Sequence, residues 1–255
     1  MLDHTRLHNP WGAENHILKT VDSTNTYAKT LAAQGAPHGT VVLADHQTGG
    51  RGRLGRSFSS PAGLGIYCSV ILRLDAPPRE LLRLTPMAAE AVRRAIVQTT
   101  GLTPRIKWIN DLVLEGKKLC GILTELGKTL DHVIVGIGVN CGQQREDFPP
   151  ELRDTVTSLS MHRPTEREPV IQAMLQQLRQ ASDALLHDPR PWMDSYKRHC
   201  LTIGKDVQLI RADEIRQAHV DDMDEDGALL VTLPDGTKET VFSGEVSVRG
   251  MYGYI

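Results

Sequence analysis

The chain has 255 residues, 40% hydrophobic and 24% charged, enough for one large folded domain or one domain with a small appendage. A net charge of −2 gives no global basic field for nucleic acid, and aromatics at 4% are too scarce for extensive base stacking. No apolar run approaches the roughly 18 residues that span a bilayer, no apolar signal core opens the chain, and Cys68, Cys120, Cys141 and Cys200 are too widely spaced for a C-x-x-C zinc pair or a disulfide framework, so a cytoplasmic protein with reduced thiols is expected.

In chain order, Ser23-Thr24-Asn25 reads as the cap of a helix through about Leu31, ended by Gly35 and Pro37. Val41 to Ala44 reads as a buried strand. A Gly/Arg-rich loop runs from Thr48 to about Ser60. Ile66 to Leu74 reads as a strand stopped by Pro77-Pro78. A helix from Thr85 or Pro86 reaches about Thr100 and ends at Gly101. Ile106 to Trp108 is a short strand. Asp111–Leu114 and Lys118–Leu126 form a hairpin turning at Glu115-Gly116. Val133, Val135, Ile137 and Val139 alternate as a strand with one buried face, while Gly136 and Gly138 mark a close approach on the other. Residues 169–186 form an amphipathic helix that Pro189 and Pro191 end. Beyond about residue 201 the pattern changes to short strands, near Val207–Ile210, His219–Val220, Ala228–Leu233 and Thr240–Phe242, with turns at Asp226-Gly227 and Asp235-Gly236. The expected division is a domain over 1–200 and a small β-barrel over 201–255.

Four segments carry chemistry. In Gly49 to Arg56, four glycines let the backbone approach a ligand, and Arg51, Arg53 and Arg56 offer planar, permanently charged donors, so the loop suits an anion. Gly50, Gly52 and Gly55 satisfy G-x-G-x-x-G, and Asp75 lies near the acid that a dinucleotide fold requires. That fingerprint must open a helix, however, and Pro61, Gly63 and Gly65 follow instead, so the dinucleotide reading is rejected. A kinase loop is rejected for want of H-R-D and D-F-G segments. Taken alone, the loop also suits a flexible surface segment.

Lys107-Trp108-Ile109-Asn110-Asp111 pairs a lysine suited to phosphate with an acid suited to a ribose, a base or Mg2+; such residues are also common where a strand enters a turn. Lys118, at the entry of a strand, is placed to hold a carboxylate and a phosphate oxygen together and to stabilise the charge that develops between them. A solvated hairpin turn is the plainer alternative there. Gly136-Ile137-Gly138-Val139-Asn140 clears one strand face and ends on a side chain able both to donate and to accept. Cys120 reads as a small buried hydrophobe rather than a nucleophile.

In this order the segments resemble the biotin protein ligases. The matching runs are Ser23-Thr24-Asn25, Gln47, Gly50 to Arg56, Lys107 to Asp111, Lys118 to Leu123, Gly136 to Asn140 and Gly244 to Arg249, spread over essentially the whole chain. The resemblance implies an α+β fold: a mixed-sheet catalytic domain related to class II aminoacyl-tRNA synthetases, with a small C-terminal SH3-like β-barrel. It implies an ATP-dependent ligase that forms biotinyl-5′-adenylate with Mg2+ and passes biotin to a lysine of a biotin carboxyl carrier protein domain. By matching position, Ser23, Thr24, Asn25, Gln47, Arg51, Gly52 and Arg53 would meet biotin. Lys118 would bridge its carboxylate and the phosphate, with Arg53 as the second catalytic group. Arg53, Arg56, Phe58, Lys107, Asp111 and Asn140 would serve the nucleotide.

Two positions depart from the family pattern: Phe58 stands where Trp is frequent, and Ile109 where Pro is usual. Both changes bear on affinity more than on activity. Ser23 comes too early to leave room for the DNA-binding segment that some relatives carry, so no DNA partner is expected; a homodimer stays open. Two alternatives remain: a lipoate or octanoate transferase, disfavoured by the lack of Arg-Arg-x-Gly-Gly-Gly, and a non-enzymatic sensor of biotinyl-adenylate.

Overall fold

The computed structural model describes residues 2–127, 130–211 and 214–242, and the backbone of 247–250. Gly244–Val246 of the C-terminal match and the tail 251–255 lie outside the described residues. The first two hundred residues form β1 (Asn15–Leu18), α1 (Thr24–Ala33), β2 (Val41–Ala44), β3 (Gly65–Leu72), α2 (Pro78–Leu81), α3 (Leu84–Thr100), β4 (Arg105–Lys107), β5 (Asp111–Leu114), β6 (Lys117–Leu126), β7 (Val133–Asn140), α4 (Arg167–His187) and α5 (Arg190–His199). The strands make one seven-stranded sheet in the order β1-β2-β3-β7-β6-β5-β4. The β1–β2 pair is parallel and the others antiparallel, so the sheet is mixed.

The two faces of the sheet are unlike. Cys68, Val70 and Leu72 of β3 and Val133, Val135, Ile137 and Val139 of β7 join the main core, to which α3 and α4 also contribute. On the opposite face, Val42, Ile71 and Ile134 pack under Ala28 and Ala32 of α1. Alternation sends successive side chains to opposite faces, so Ser69, Gly136 and Gly138 fall on the α1 side. β7 is buried on both faces rather than one, because Asn25 and Phe58 lie directly over its glycines.

β1, α2 and α5 are absent from the sequence reading. Pro189 and Pro191 end α4 only in part: Pro189 sits at the N-cap of α5 and Pro191 in its first turn, where a missing N–H leaves no hydrogen bond unmade. α5 is fixed to α3 by a carboxylate. Glu90 is fully buried and accepts from Arg93 at 2.7 Å, Arg94 at 2.8 Å and the Ser195 hydroxyl at 2.6 Å. The Arg94 guanidinium also lies 3.9 Å over the Trp192 ring.

The second sheet contains β8 (Asp206–Arg211), β9 (Glu214–Met223), β10 (Leu229–Thr232), β11 (Lys238–Val241) and β12 (Ser247–Gly250), in the antiparallel order β11-β10-β9-β8-β12. It is the SH3-like unit. Its Asp226-Gly227 turn docks on the first sheet's domain: Arg79 and Arg83 reach the nearly buried Asp226 carboxylate at 2.7 and 2.8 Å. No helix among the described residues is long and apolar enough to cross a membrane.

Candidate active site

A cavity of about 510 Å3 opens on the α1 side of the sheet, between β6–β7 and the Gly/Arg loop. All thirteen residues singled out from the sequence line it: Ser23, Thr24, Asn25, Gln47, Arg51, Gly52, Arg53, Arg56, Phe58, Lys107, Asp111, Lys118 and Asn140.

One end is lined chiefly by neutral polar side chains. Ser23 is the N-cap of α1, but its hydroxyl makes no capping bond. The first helical N–H, that of Thr24, donates to Gln47 Oε1 at 2.9 Å, and Ser23 lines the cavity beside it. Thr24 Oγ1 lies 3.1 Å from the same oxygen, and Gln47 Nε2 donates to Ser60 Oγ at 2.9 Å. Ser69, in a largely apolar strand, donates to Asn25 Oδ1 at 2.6 Å. The glycines make this packing possible. A Cβ on Gly136 would fall on the Asn25 carboxamide, and one on Gly138 would lie 2.6 Å from the Phe58 ring. Gly50 is similarly confined: a Cβ there would lie 2.6 Å from Ser60 Oγ.

The other end is charged. The Lys118 ammonium pairs with Asp111 at 2.9 Å, both partly buried. A Cβ on Gly121 would lie 3.3 Å from that ammonium, so the missing side chain leaves it room. Arg53 donates to Asn110 Oδ1 at 3.2 Å, and Asn110 Nδ2 donates to the Ile122 carbonyl at 2.9 Å. Burial lowers the Arg53 pKa, an effect the nearby Asp111 carboxylate opposes; this cation gains by meeting an anion in the cavity. Lys107 is buried alongside.

Asn140 is committed to the protein itself. Its Nδ2 donates to the Thr157 carbonyl at 3.0 Å, and Gln143 Nε2 lies 3.4 Å from its Oδ1. It therefore fixes the segment that closes the cavity's far wall. That segment also pairs with β6, Lys118 N donating to Thr155 O at 2.8 Å and Thr157 N to Lys118 O at 2.9 Å. Phe148, Leu152, Thr155 and Val156 of this wall escaped the sequence reading. Their only signal was a single Phe, in a chain with three, within a stretch without periodicity. Cys120 is fully buried and burial drives its thiol pKa up, as expected of an inert thiol.

Residues 17–140 match the biotin/lipoate A/B protein ligase family, and residues 202–249 match the biotin protein ligase C-terminal domain. The chain is 37% identical to the bifunctional ligase/repressor BirA of Bacillus subtilis over 89% of its own length and 72% of that protein's. It is 31% identical to the biotin–[acetyl-CoA-carboxylase] ligase of Mycobacterium tuberculosis over 76% and 73% of the two chains. A biotin protein ligase from Aquifex aeolicus, solved in complex with biotin and ATP, superposes with a TM-score of 0.81 at 30% identity, covering 93% of this chain and 99% of that one. The chain belongs to the biotin/lipoate A/B protein ligase family.

Proposed function

We propose that this chain is a biotin protein ligase: it activates biotin with ATP and transfers it to a lysine of a biotin carboxyl carrier domain. The observation that carries this reading is a single cavity with one end lined chiefly by neutral hydrogen-bonding side chains and one cationic end, with Lys118 at the latter. A neutral polar head group attached to a carboxylate fits such a cavity together with a nucleotide triphosphate. Lipoate and octanoate carry a carboxylate but no polar head to match Thr24 and Gln47.

In the first step a biotin carboxylate oxygen attacks the α-phosphorus of ATP. The P–O bond to pyrophosphate breaks, and biotinyl-5′-adenylate forms. Two anions repel, so the step needs cations held in place. Lys118 has three N–H donors and can keep Asp111 while reaching the carboxylate and a phosphate oxygen. Arg53, Arg56 and Lys107 offset the remaining charge, and Phe58 offers an apolar face to the base. In the second step the carrier's lysine amine attacks the activated carbonyl, an amide forms and AMP leaves with the bonding pair.

Asp111 is the one carboxylate among the described lining residues. That donor set suits a Mg2+ ion carried chiefly by the phosphates, with Asp111 as its protein carboxylate. Bound there, Mg2+ would neutralise triphosphate charge. The same reading places the chain in the cytoplasm, acting on a carboxylase rather than on DNA, in keeping with a net charge of −2.

The test is pyrophosphate release with ATP and Mg2+, comparing biotin, lipoate and octanoate. Release with biotin is expected. Release with lipoate or octanoate alone would move the chain to the lipoate branch of the family, and biotin binding without release would make it a sensor.

A further inference from the structure

Behind the polar end of the cavity runs a chain of hydrogen bonds that none of the sequence motifs predicts. It starts on β6 at Glu125, outside the cavity lining. Lys29 Nζ donates to Glu125 Oε1 at 2.6 Å, and Asn25 Nδ2 donates to Glu125 Oε2 at 2.8 Å. It continues from Asn25 Oδ1 to Ser69 Oγ at 2.6 Å and from Ser69 to Thr24 Oγ1 at 2.8 Å, and Thr24 Oγ1 lies 3.1 Å from Gln47 Oε1.

The direction of every bond follows from the first. The Asn25 nitrogen faces two groups that only accept, the Glu125 carboxylate and the Leu123 carbonyl at 3.3 Å. Its oxygen must therefore face Ser69. A hydroxyl has one proton, and Ser69 uses it on Asn25, so Ser69 turns a lone pair to Thr24, whose own proton goes to Ser69 rather than to Gln47. The Gln47 orientation is set independently, because the Thr24 N–H can only donate and so faces Oε1. The cavity is left with acceptor lone pairs on Thr24 Oγ1 and Gln47 Oε1. Burial opposes ionisation of Glu125, but the hydrogen bonds from Lys29 and Asn25 outweigh it and hold the carboxyl below its usual range.

We infer that Glu125 is a positioning residue for substrate selection: by fixing the Asn25 carboxamide it keeps the inner pocket an acceptor of ring N–H groups. Biotin's cyclic urea presents two such groups, whereas a dithiolane or an aliphatic acid presents none. The inference rests on the biotin ligase reading above and extends it to a residue that does not touch the substrate.

Glu125→Gln reverses the relay. Lys29 demands the amide oxygen, so the new NH2 group faces Asn25 and turns its oxygen outward. Asn25 then offers N–H to Ser69, and Ser69 donates to Thr24. The added variant Asn25→Asp restores the direction, since a carboxylate at position 25 accepts both from the amide introduced at position 125 and from Ser69. The experiment is steady-state pyrophosphate release with biotin and ATP each varied, and with octanoate as competitor acid. E125Q is expected to raise the biotin KM about tenfold, the worth of one misdirected buried hydrogen bond. The ATP KM should stay within about twofold, and the preference for biotin over octanoate should fall. E125Q with N25D should recover most of the biotin KM, and N25D alone, which sets two carboxylates together, should not. A biotin KM unchanged in E125Q, biotin and ATP constants that rise together, or a double variant no better than N25D alone would overturn the inference while leaving the function intact. Absence of biotin-dependent release by the unaltered chain would overturn both.

Discussion

The indole N–H of Trp108 donates to the carbonyl oxygen of Gly227 at 2.8 Å, so a residue between Lys107 and Asp111 is tied to the Asp226-Gly227 turn of the second sheet. The Trp108 backbone N–H is held too, by Thr202 Oγ1 at 3.0 Å, and Tyr196 Oη donates to the neighbouring Ile109 carbonyl at 3.2 Å. The charged end of the cavity is thus braced from beneath by α5 and by the SH3-like sheet. Trp108→Phe keeps the apolar volume but leaves the Gly227 carbonyl unpaired, at a cost of about 1–3 kcal/mol. The expected outcome is a lower melting temperature together with a raised ATP KM and a nearly constant biotin KM. A change in melting temperature alone would confine the bond to domain docking.

Lys118→Ala removes the cation placed between the two reacting anions. Biotin-dependent pyrophosphate release should fall about 10²–10³-fold, the scale of losing one preorganised electrostatic group. The circular dichroism spectrum should be unchanged, because Lys118 holds the far wall through its backbone rather than its side chain. Near-normal turnover would remove Lys118 from the proposed mechanism.

The Gly/Arg loop is tethered at both ends, with Gly49 N donating to Asp22 O at 2.8 Å and Phe58 N to Gly50 O at 2.9 Å, while Arg51, Leu54 and Arg56 between them are exposed. Cleavage by trypsin after these arginines is expected to slow when biotin and ATP are bound, as a loop ordered over ligand would require. Equal cleavage rates with and without ligand would count against closure.

Glu90 is a buried carboxylate whose pKa is pushed up by burial but pulled below the usual range by its bonds from Arg93, Ser195 and Arg94. Its contribution to stability is therefore fully present above the unfolded carboxyl value of about 4.3 and is lost as pH falls through the lower folded value. Glu90→Ala leaves two partly buried guanidinium groups without their shared anion and should cost about 1–3 kcal/mol near neutral pH, read by urea denaturation. The gap between variant and unaltered chain should narrow below about pH 4. A constant gap across that range would assign the cost to lost packing instead.

The cavity lining was legible because its residues belong to short runs in which glycine and charge interrupt apolar strands. The Gly/Arg loop, Lys107–Asp111, Lys118 and Gly136–Asn140 all announce themselves that way. The wall around Phe148 to Val156 was not legible. Its side chains share no period and are set at the cavity by tertiary bonds to Lys118 and Asn140. Glu125 and Ser69 were missed for another reason: each reads as an ordinary strand residue, and only the third dimension sets them behind Asn25. Among the elements, α5 was hidden by two prolines that open a helix as readily as they close one. β1 is four half-buried residues at the sheet's edge, without the alternation that marks a strand.

Strand β7 is where these two kinds of information interleave. Its valines and Ile137 look into the core, and Gly136 and Gly138 between them look onto the cavity. A systematic scan along Ile134 to Val139 should therefore trace two saw-tooth profiles out of phase by one residue. Loss of thermal stability would peak at the odd positions from Val135 onward, and loss of substrate turnover would peak at the glycines. A single strand then works as a ruler with two scales: neighbouring substitutions, less than about 4 Å apart along the backbone, separate variants that cannot fold from variants that fold and cannot bind.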